Sequence, residues 1–201
     1  QRYALDVRGG TKFVKYYGSL AYVYDGDVLK GQDFGQGYVP KNDYKRFNFR
    51  TNLDFQPTAT TTISVDIDGA WGIERTTTAT PAYLWPGIYS KGPDQYPVRY
   101  EDGTWGRKDD YPLGELAENP LRLLQEKKSV TETDYAIFNV IADIHLTKKL
   151  TFTAKGDYQM TNRRTLSYAK AGLHGETDTN GGYADIGNTK SRRWSNEDYF
   201  T

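Results

Sequence analysis

The side chains best equipped for chemistry recur on two stretches of strict alternation. Arg46, Arg50 and Asp54 occupy even positions of 45–56, and Asp66 and Asp68 occupy even positions of the run that follows. Residues two apart on a strand point to the same side, so these guanidinium and carboxylate groups share a face, where they can pair between strands or meet polar groups of another molecule. A second set is aromatic. Tyr83, Trp85, Tyr89, Tyr96, Tyr100 and Trp105, interleaved with Pro and Gly, offer flat surfaces for stacking on sugar rings or peptide side chains, and equally for packing their own segment. Ser19, Asp143 and His145 invite comparison with a hydrolytic triad, but no nucleophile elbow surrounds the serine, and no enzyme activity is expected. Asp25-Gly26-Asp27 and Asp109-Asp110 lack the ligand run of an EF-hand and read as solvated loop carboxylates. With no Cys and two His, the sequence offers no thiolate and little imidazole chemistry, so neither a metal nor a cofactor is expected.

What must position these groups is constrained by composition. The 26 basic and 26 acidic residues cancel, which leaves no overall field to hold a nucleic acid. Mean hydropathy is −0.77, too polar for an ordinary core in a chain of 201 residues. Yet 17 Tyr and 4 Trp are far more than disordered chains carry. No apolar stretch is long enough for a membrane helix. The sequence opens at Gln1 without a leader, and is expected to be a processed or internal piece of a longer protein.

The organising signal is a period of two. In 45–56, Phe47, Phe49, Thr51, Leu53 and Phe55 oppose Arg46, Asn48, Arg50, Asn52, Asp54 and Gln56. In 63–74, Ile63, Val65, Ile67, Gly69, Trp71 and Ile73 oppose Ser64, Asp66, Asp68, Ala70, Gly72 and Glu74. One face suits an apolar medium and the other water. Shorter or less regular runs at 3–8, 14–25, 135–146 and 150–161 read as further strands, and a seventh is expected to begin near Trp194. Short connections at 9–12, 57–60 and 147–148 suit hairpin turns, with Gly9-Gly10 expected to supply positive φ. Long connections are expected at 26–44, 75–132 and 163–191, where Asn119-Pro120 reads as the capped start of a short helix. Strands that reverse at every connection put all short turns at one end and all long loops at the other. That is the layout of an outer-membrane barrel, and the expected fold is all-β, a transmembrane antiparallel up-and-down β-barrel.

Three blocks carry a family resemblance: Val7-Arg8-Gly9-Gly10-Thr11, then Lys15-Tyr16-Tyr17-Gly18-Ser19-Leu20-Ala21-Tyr22, then Asp43 through Asp54. In order and spacing they resemble the start of the barrel in the SusC/RagA family of TonB-linked outer-membrane proteins. Asn119-Pro120-Leu121 and Lys149-Leu150-Thr151-Phe152 fall where that family has similar segments. The resemblance covers about residues 1–165. It implies that 1–201 is part of a TonB-dependent receptor barrel, without plug or TonB-box region, in a Gram-negative outer membrane. It further implies a SusD-like surface lipoprotein and TonB as partners, outer-membrane lipid around the wall, and an oligosaccharide or peptide as substrate. Arg46, Arg50, Asp54, Asp66 and Asp68 would then face the lumen, because a single Arg turned toward lipid costs roughly 2–4 kcal/mol. The arginines are expected to pair with Asp66 or Asp68, or with the plug. The residues alone also admit a small self-contained outer-membrane barrel of structural or adhesive role, or a soluble carbohydrate-binding β-sandwich.

Overall fold

A computed structural model of the chain describes residues 1–27, 33, 37, 39–77, 88–89, 96–106, 119–169 and 182–201. Seven strands, β1 (Arg2–Gly10), β2 (Val14–Asp25), β3 (Asp43–Thr58), β4 (Thr61–Thr77), β5 (Lys127–Thr147), β6 (Leu150–Ala169) and β7 (Tyr183–Phe200), form one open sheet in chain order. Every neighbouring pair is antiparallel. A short helix, α1 (Pro120–Glu126), precedes β5. No second sheet lies against the first among the described residues, so the arrangement is a single-layer wall rather than a sandwich.

Register converts the alternation into two surfaces. Tyr3, Tyr22, Phe47 and Trp71 are directly paired in sequence along one row. Their rings meet at centroid separations of 6.4, 4.7 and 6.0 Å, forming an aromatic stripe across four strands. Lower rows on this side hold Leu5 with Leu20 and Phe49, and Leu53 with Val65 and Val140. These side chains are not covered: Leu5 is 69% exposed, Leu20 60% and Trp194 76%. Among the described residues the buried apolar side chains are only Ala70, Tyr96, Leu124 and Ala136. The wall has no interior, and its apolar surface needs an apolar medium to cover it.

Three tight turns close one end. Thr11 Oγ1 accepts hydrogen bonds from the amides of Phe13 and Val14, Ala59-Thr60 links β3 to β4, and Thr147 Oγ1 accepts from the amide of Lys149. The turns are staggered. One row passes through Gly10, Lys15, Asp54, Ser64, Ile141 and Lys155. Whereas β1 ends at that row, β3 continues to Thr58 and β5 to Thr147. Such progressive offset is what strands tilted in a barrel wall require.

Two expectations are corrected. Gly9 and Gly10 do not form the turn by positive φ; they are the last residues of β1, and positive φ among the described glycines occurs at Gly37 and Gly103. Their reason is close approach. A Cβ on Gly9 would lie 2.6 Å from Tyr16 Oη, and one on Gly10 would lie 2.5 Å from the carbonyl oxygen of Val14. Strand ends also extend further than the alternation suggests: β4 runs to Thr77, β5 starts at Lys127, β6 reaches Ala169 and β7 starts at Tyr183 rather than Trp194. Here polar residues enter the otherwise apolar face, as in the paired rows Asp134, Asn162, Lys190 and Glu132, Arg164, Asn188, so the period of two fades while the hydrogen-bonded ladder continues. At about 3.4 Å per residue, the 21 residues of β5 reach roughly twice the span of a membrane strand.

The glycine geometry makes a paired prediction. Gly10→Ala drives a methyl group into backbone and is expected to destabilise the protein by about 1–3 kcal/mol. Gly156→Ala, where nothing lies within 4 Å of the added carbon, should stay within about 0.5 kcal/mol. Urea unfolding midpoints of the two variants compare them directly.

Candidate functional site

The polar surface is built from rungs between neighbouring strands. Arg50 donates from Nε and Nη2 to Asp68 Oδ2 at 2.8 and 2.5 Å. Tyr135 Oη donates to Asp68 Oδ1 at 3.3 Å, and Arg46 Nη2 donates to Tyr135 Oη at 3.1 Å. The chain Arg50–Asp68–Tyr135–Arg46 thus ties β3, β4 and β5 together. Asn52 donates to Asp66, Ser64 Oγ to Asp54 Oδ1 at 2.7 Å, and Thr153 Oγ1 to Asp143 Oδ1 at 2.6 Å. Ser195 donates to Asp157 at the β6–β7 boundary.

All five charged residues singled out from sequence lie on this surface, and the pairing expected of the arginines is met at Arg50 with Asp68 but not at Arg46. Only Arg50 takes an aspartate; Asp66 and Asp54 are satisfied by Asn52 and Ser64, and Arg46 leans on Tyr135, with its guanidinium carbon 5.6 Å from that ring's centroid. Register decides this, because Arg50 stands directly opposite Asp68 while Arg46 faces Gly72. Tyr135, the connecting residue, was hidden in a run whose two faces are both partly apolar. Between Arg46 and Arg163 the small residues Gly72 and Ala70 leave a cavity of about 320 Å³, rimmed also by Glu74 and Tyr135. No carboxylate lies within ion-pair distance of Arg46 or Arg163 among the described residues. The wall therefore presents a recess with donors on two sides.

Ser19, Asp143 and His145 do not assemble. Ser19 is on β2 and the other two are on β5, with β3 and β4 between them, and the His145 ring nitrogen Nδ1 lies 2.9 Å from Thr151 Oγ1. No group of three or more His, Asp or Glu among the described residues is placed to hold a metal ion.

Of the loop aromatics, Tyr83 and Trp85 lie outside the described residues. Tyr89 is 80% exposed, whereas Tyr96 is buried. Trp105 pairs with Arg99 in a small hairpin, the guanidinium carbon 5.5 Å from a ring centroid. The tip turns at Gly103, where φ is +88°, and Asp102 Oδ1 accepts from the amide and hydroxyl of Thr104 at 2.8 and 2.7 Å. Those two bonds hold the Asp102 carboxyl below the usual carboxylate range. Asn119 joins this hairpin to α1. Its Oδ1 accepts from the amides of Leu121 and Arg122 at 3.2 and 3.4 Å, while its Nδ2 donates to the carbonyls of Val98 and Gly106 at 2.8 and 3.0 Å. The expected N-cap is present, and it also docks the loop.

An inclined antiparallel meander with one apolar and one polar face, short turns at one end and long connections at the other, defines part of the wall of a large β-barrel. The sequence matches no protein-family model and no curated protein. Among solved structures, the chain is similar to one described as the RagAB peptide importer in the closed-closed state, with a TM-score of 0.58, 18% identity, and coverage of 96% of this chain and 21% of the other. It is also similar to one described as the RagAB peptide transporter, with a TM-score of 0.56, 16% identity, and coverage of 96% and 22%. The chain thus spans about a fifth of the length of the solved chains it matches. At this identity the likeness is one of fold, and the matched proteins are transporters, not enzymes.

Removing the Asn119 side chain deletes a cap and two docking bonds at once. Asn119→Ala is expected to cost about 1–2 kcal/mol locally, read as faster amide exchange at Leu121 and Arg122 and earlier proteolysis within 98–106. Arg50→Ala should leave the urea unfolding midpoint nearly unchanged, because that pair is open to solvent.

Proposed function

We propose that this chain is a section of the barrel wall of a TonB-dependent outer-membrane importer, the barrel subunit of a SusC/SusD-like complex. The observation that carries the reading is the uncovered apolar face opposite a hydrogen-bonded polar face, on a sheet whose longest strands, β5 and β6, exceed the thickness of a bilayer. The edges of β1 and β7 support it. Unpaired backbone groups at an open sheet edge are too costly in hydrocarbon, so these strands need further strands beside them to close the wall. The likeness to the RagAB structures agrees with a larger barrel of which residues 1–201 are one part.

In this mechanism no bond of the cargo is made or broken. A surface lipoprotein hands an oligopeptide or oligosaccharide to the barrel, and TonB, acting on a plug domain, opens the path to the periplasm. Arg46, Arg50, Asp54, Asp66 and Asp68 face the lumen. The Arg50–Asp68 and Asn52–Asp66 rungs brace the wall, while the recess between Arg46 and Arg163 meets plug or cargo. Tyr83, Trp85, Tyr89, Tyr96 and Trp105 belong to the loop that meets the lipoprotein or cargo. The peptide transport named for the similar structures makes peptide the first cargo to test.

The test has a structural and a transport arm. Ile67→Arg, on the outward face, should reduce assembled protein in the outer membrane severalfold, consistent with roughly 2–4 kcal/mol for a midplane arginine, whereas Asn48→Arg, on the lumen side, should assemble normally. Cells lacking the protein should lose uptake of a labelled oligopeptide or oligosaccharide, as should intact cells treated with a proton uncoupler. Equal assembly of the two variants, or uptake indifferent to the uncoupler, would refute the proposal.

A further inference from the structure

One row of the polar face carries an arginine at each end and small residues between them. Arg46 stands opposite Gly72, Gly72 opposite Thr133, and Thr133 opposite Arg163, so the two guanidinium side chains rise from β3 and β6 on either side of a low stretch of wall. Three strand spacings separate them, roughly 14 Å, a gap that two long side chains can close on from both ends. The row below contributes Ala70 and Tyr135, the row above Tyr44 and Glu74, and together they shape the recess of about 320 Å³. Its floor is defined at Gly72, where an added Cβ would lie 3.6 Å from Tyr44 Oη.

The arginines are positioned without a carboxylate of their own. Tyr135 gives its proton to Asp68 and accepts from Arg46 Nη2 at 3.1 Å, so the residue that orients Arg46 brings it no charge. Asp68 is itself held by Arg50. Arg163 is exposed, and the residues directly opposite it on either side, Thr133 and Thr189, are uncharged. Among the described residues the carboxylate on the rim is Glu74, which lies beyond ion-pair distance of both arginines. Two guanidinium groups therefore flank a gap that is edged by one carboxylate on the row above.

A carboxylate matches this arrangement. Its two oxygens lie in one plane, and guanidinium N–H groups meet them in charge-assisted hydrogen bonds, one arginine from each side. A neutral amide or hydroxyl gains far less from two fixed cations. The recess also lies nearer the strand ends that carry the long connections than the tight turns. In an outer-membrane barrel those connections are extracellular, so cargo entering from outside reaches this row before the lower wall. We infer that the recess between Arg46 and Arg163 binds a carboxylate group of the cargo, so that the importer takes acidic oligomers in preference to neutral ones. A peptide brings that group as Asp or Glu, a saccharide as a uronic acid. The inference rests on the importer reading above, with the polar face toward the lumen.

The experiment uses the full-length protein, with any partner that co-purifies, extracted from outer membranes in detergent, its folding verified by heat-modifiable gel migration. Two matched pairs of labelled probes are titrated: a C-terminally amidated oligopeptide bearing glutamates against its glutamine counterpart, and oligogalacturonate against its methyl ester. The acidic member of at least one pair should bind about tenfold more tightly, and the pair that shows it names the source of the carboxylate. Arg46→Gln combined with Arg163→Gln should abolish the preference and leave the neutral probes within about twofold, whereas Lys15→Gln, lower on the same face, should keep it. Glu74→Gln should tighten the acidic probe about threefold, a gain that loss of a merely structural side chain does not produce, and it decides the question even where the arginine pair cannot be replaced. No preference in the unaltered protein, as a recess filled by the plug would give, a preference that survives loss of both arginines, or weaker acidic binding in Glu74→Gln would each overturn the inference. Uptake indifferent to the uncoupler refutes the importer reading alone, since the preference for acidic probes is measured on the isolated protein.

Discussion

Backbone hydrogen bonding between adjacent strands is the interaction on which this structure depends, because almost nothing is buried to assist it. In a globular domain the loss of a ladder bond is cushioned by packing on both faces. Here, among the described residues, the strands touch their neighbours in the sheet and little else beyond α1 against β4 and β5, so pairing along β5 and β6, with 21 and 20 residues, holds the longest elements in place. In hydrocarbon a broken backbone bond finds no water to replace it, which makes such pairing far stronger in a bilayer than in solution. The side chains refine what the backbone has already secured: Phe49 lies over Gly69 and Tyr16 over Gly9, filling the gaps that missing side chains leave on the outer surface.

The two faces divide the remaining work between them. Outside, cohesion comes from rings in a continuous stripe, without a hydrogen bond required from any of them. On the polar face, carboxylates accept hydrogen bonds from a neighbour on the next strand, so the surface is polar and cross-linked while keeping charge. At Arg46 and Arg163, beside the recess on the polar face, no carboxylate lies within ion-pair distance among the described residues, and there the wall has charge to offer another molecule.

Much of this was legible in the sequence, and what was not has a physical cause. Runs such as 45–56 and 63–74 reveal strand and face because one side of each is almost wholly apolar and the other polar. The upper parts of β5, β6 and β7 were hidden because polar residues such as Asp134, Asn162 and Lys190 interrupt their apolar side, as do Arg192, Asn196 and Asp198 on β7. The placement of Arg46, Arg50, Asp54, Asp66 and Asp68 on one side followed from parity. Their partners did not, since those depend on register, and a choice between Asp66 and Asp68 for Arg50 is a matter of which residue stands opposite. The N-cap at Asn119 was readable as a local motif, whereas its bonds to Val98 and Gly106 join segments that are distant in sequence.

The meander order has a consequence for how such a wall changes over time. Every strand pairs with its immediate neighbours in the chain, so the sheet can be assembled one hairpin after another, and no strand waits for a distant partner. The long connections all leave from the same end, and the entropy of closing a flexible loop grows only with the logarithm of its length, about 0.6 kcal/mol for each doubling. Insertions there alter neither the ladder nor the order of assembly. Selection can therefore rewrite those connections almost freely, while the strands beneath them stay the same frame.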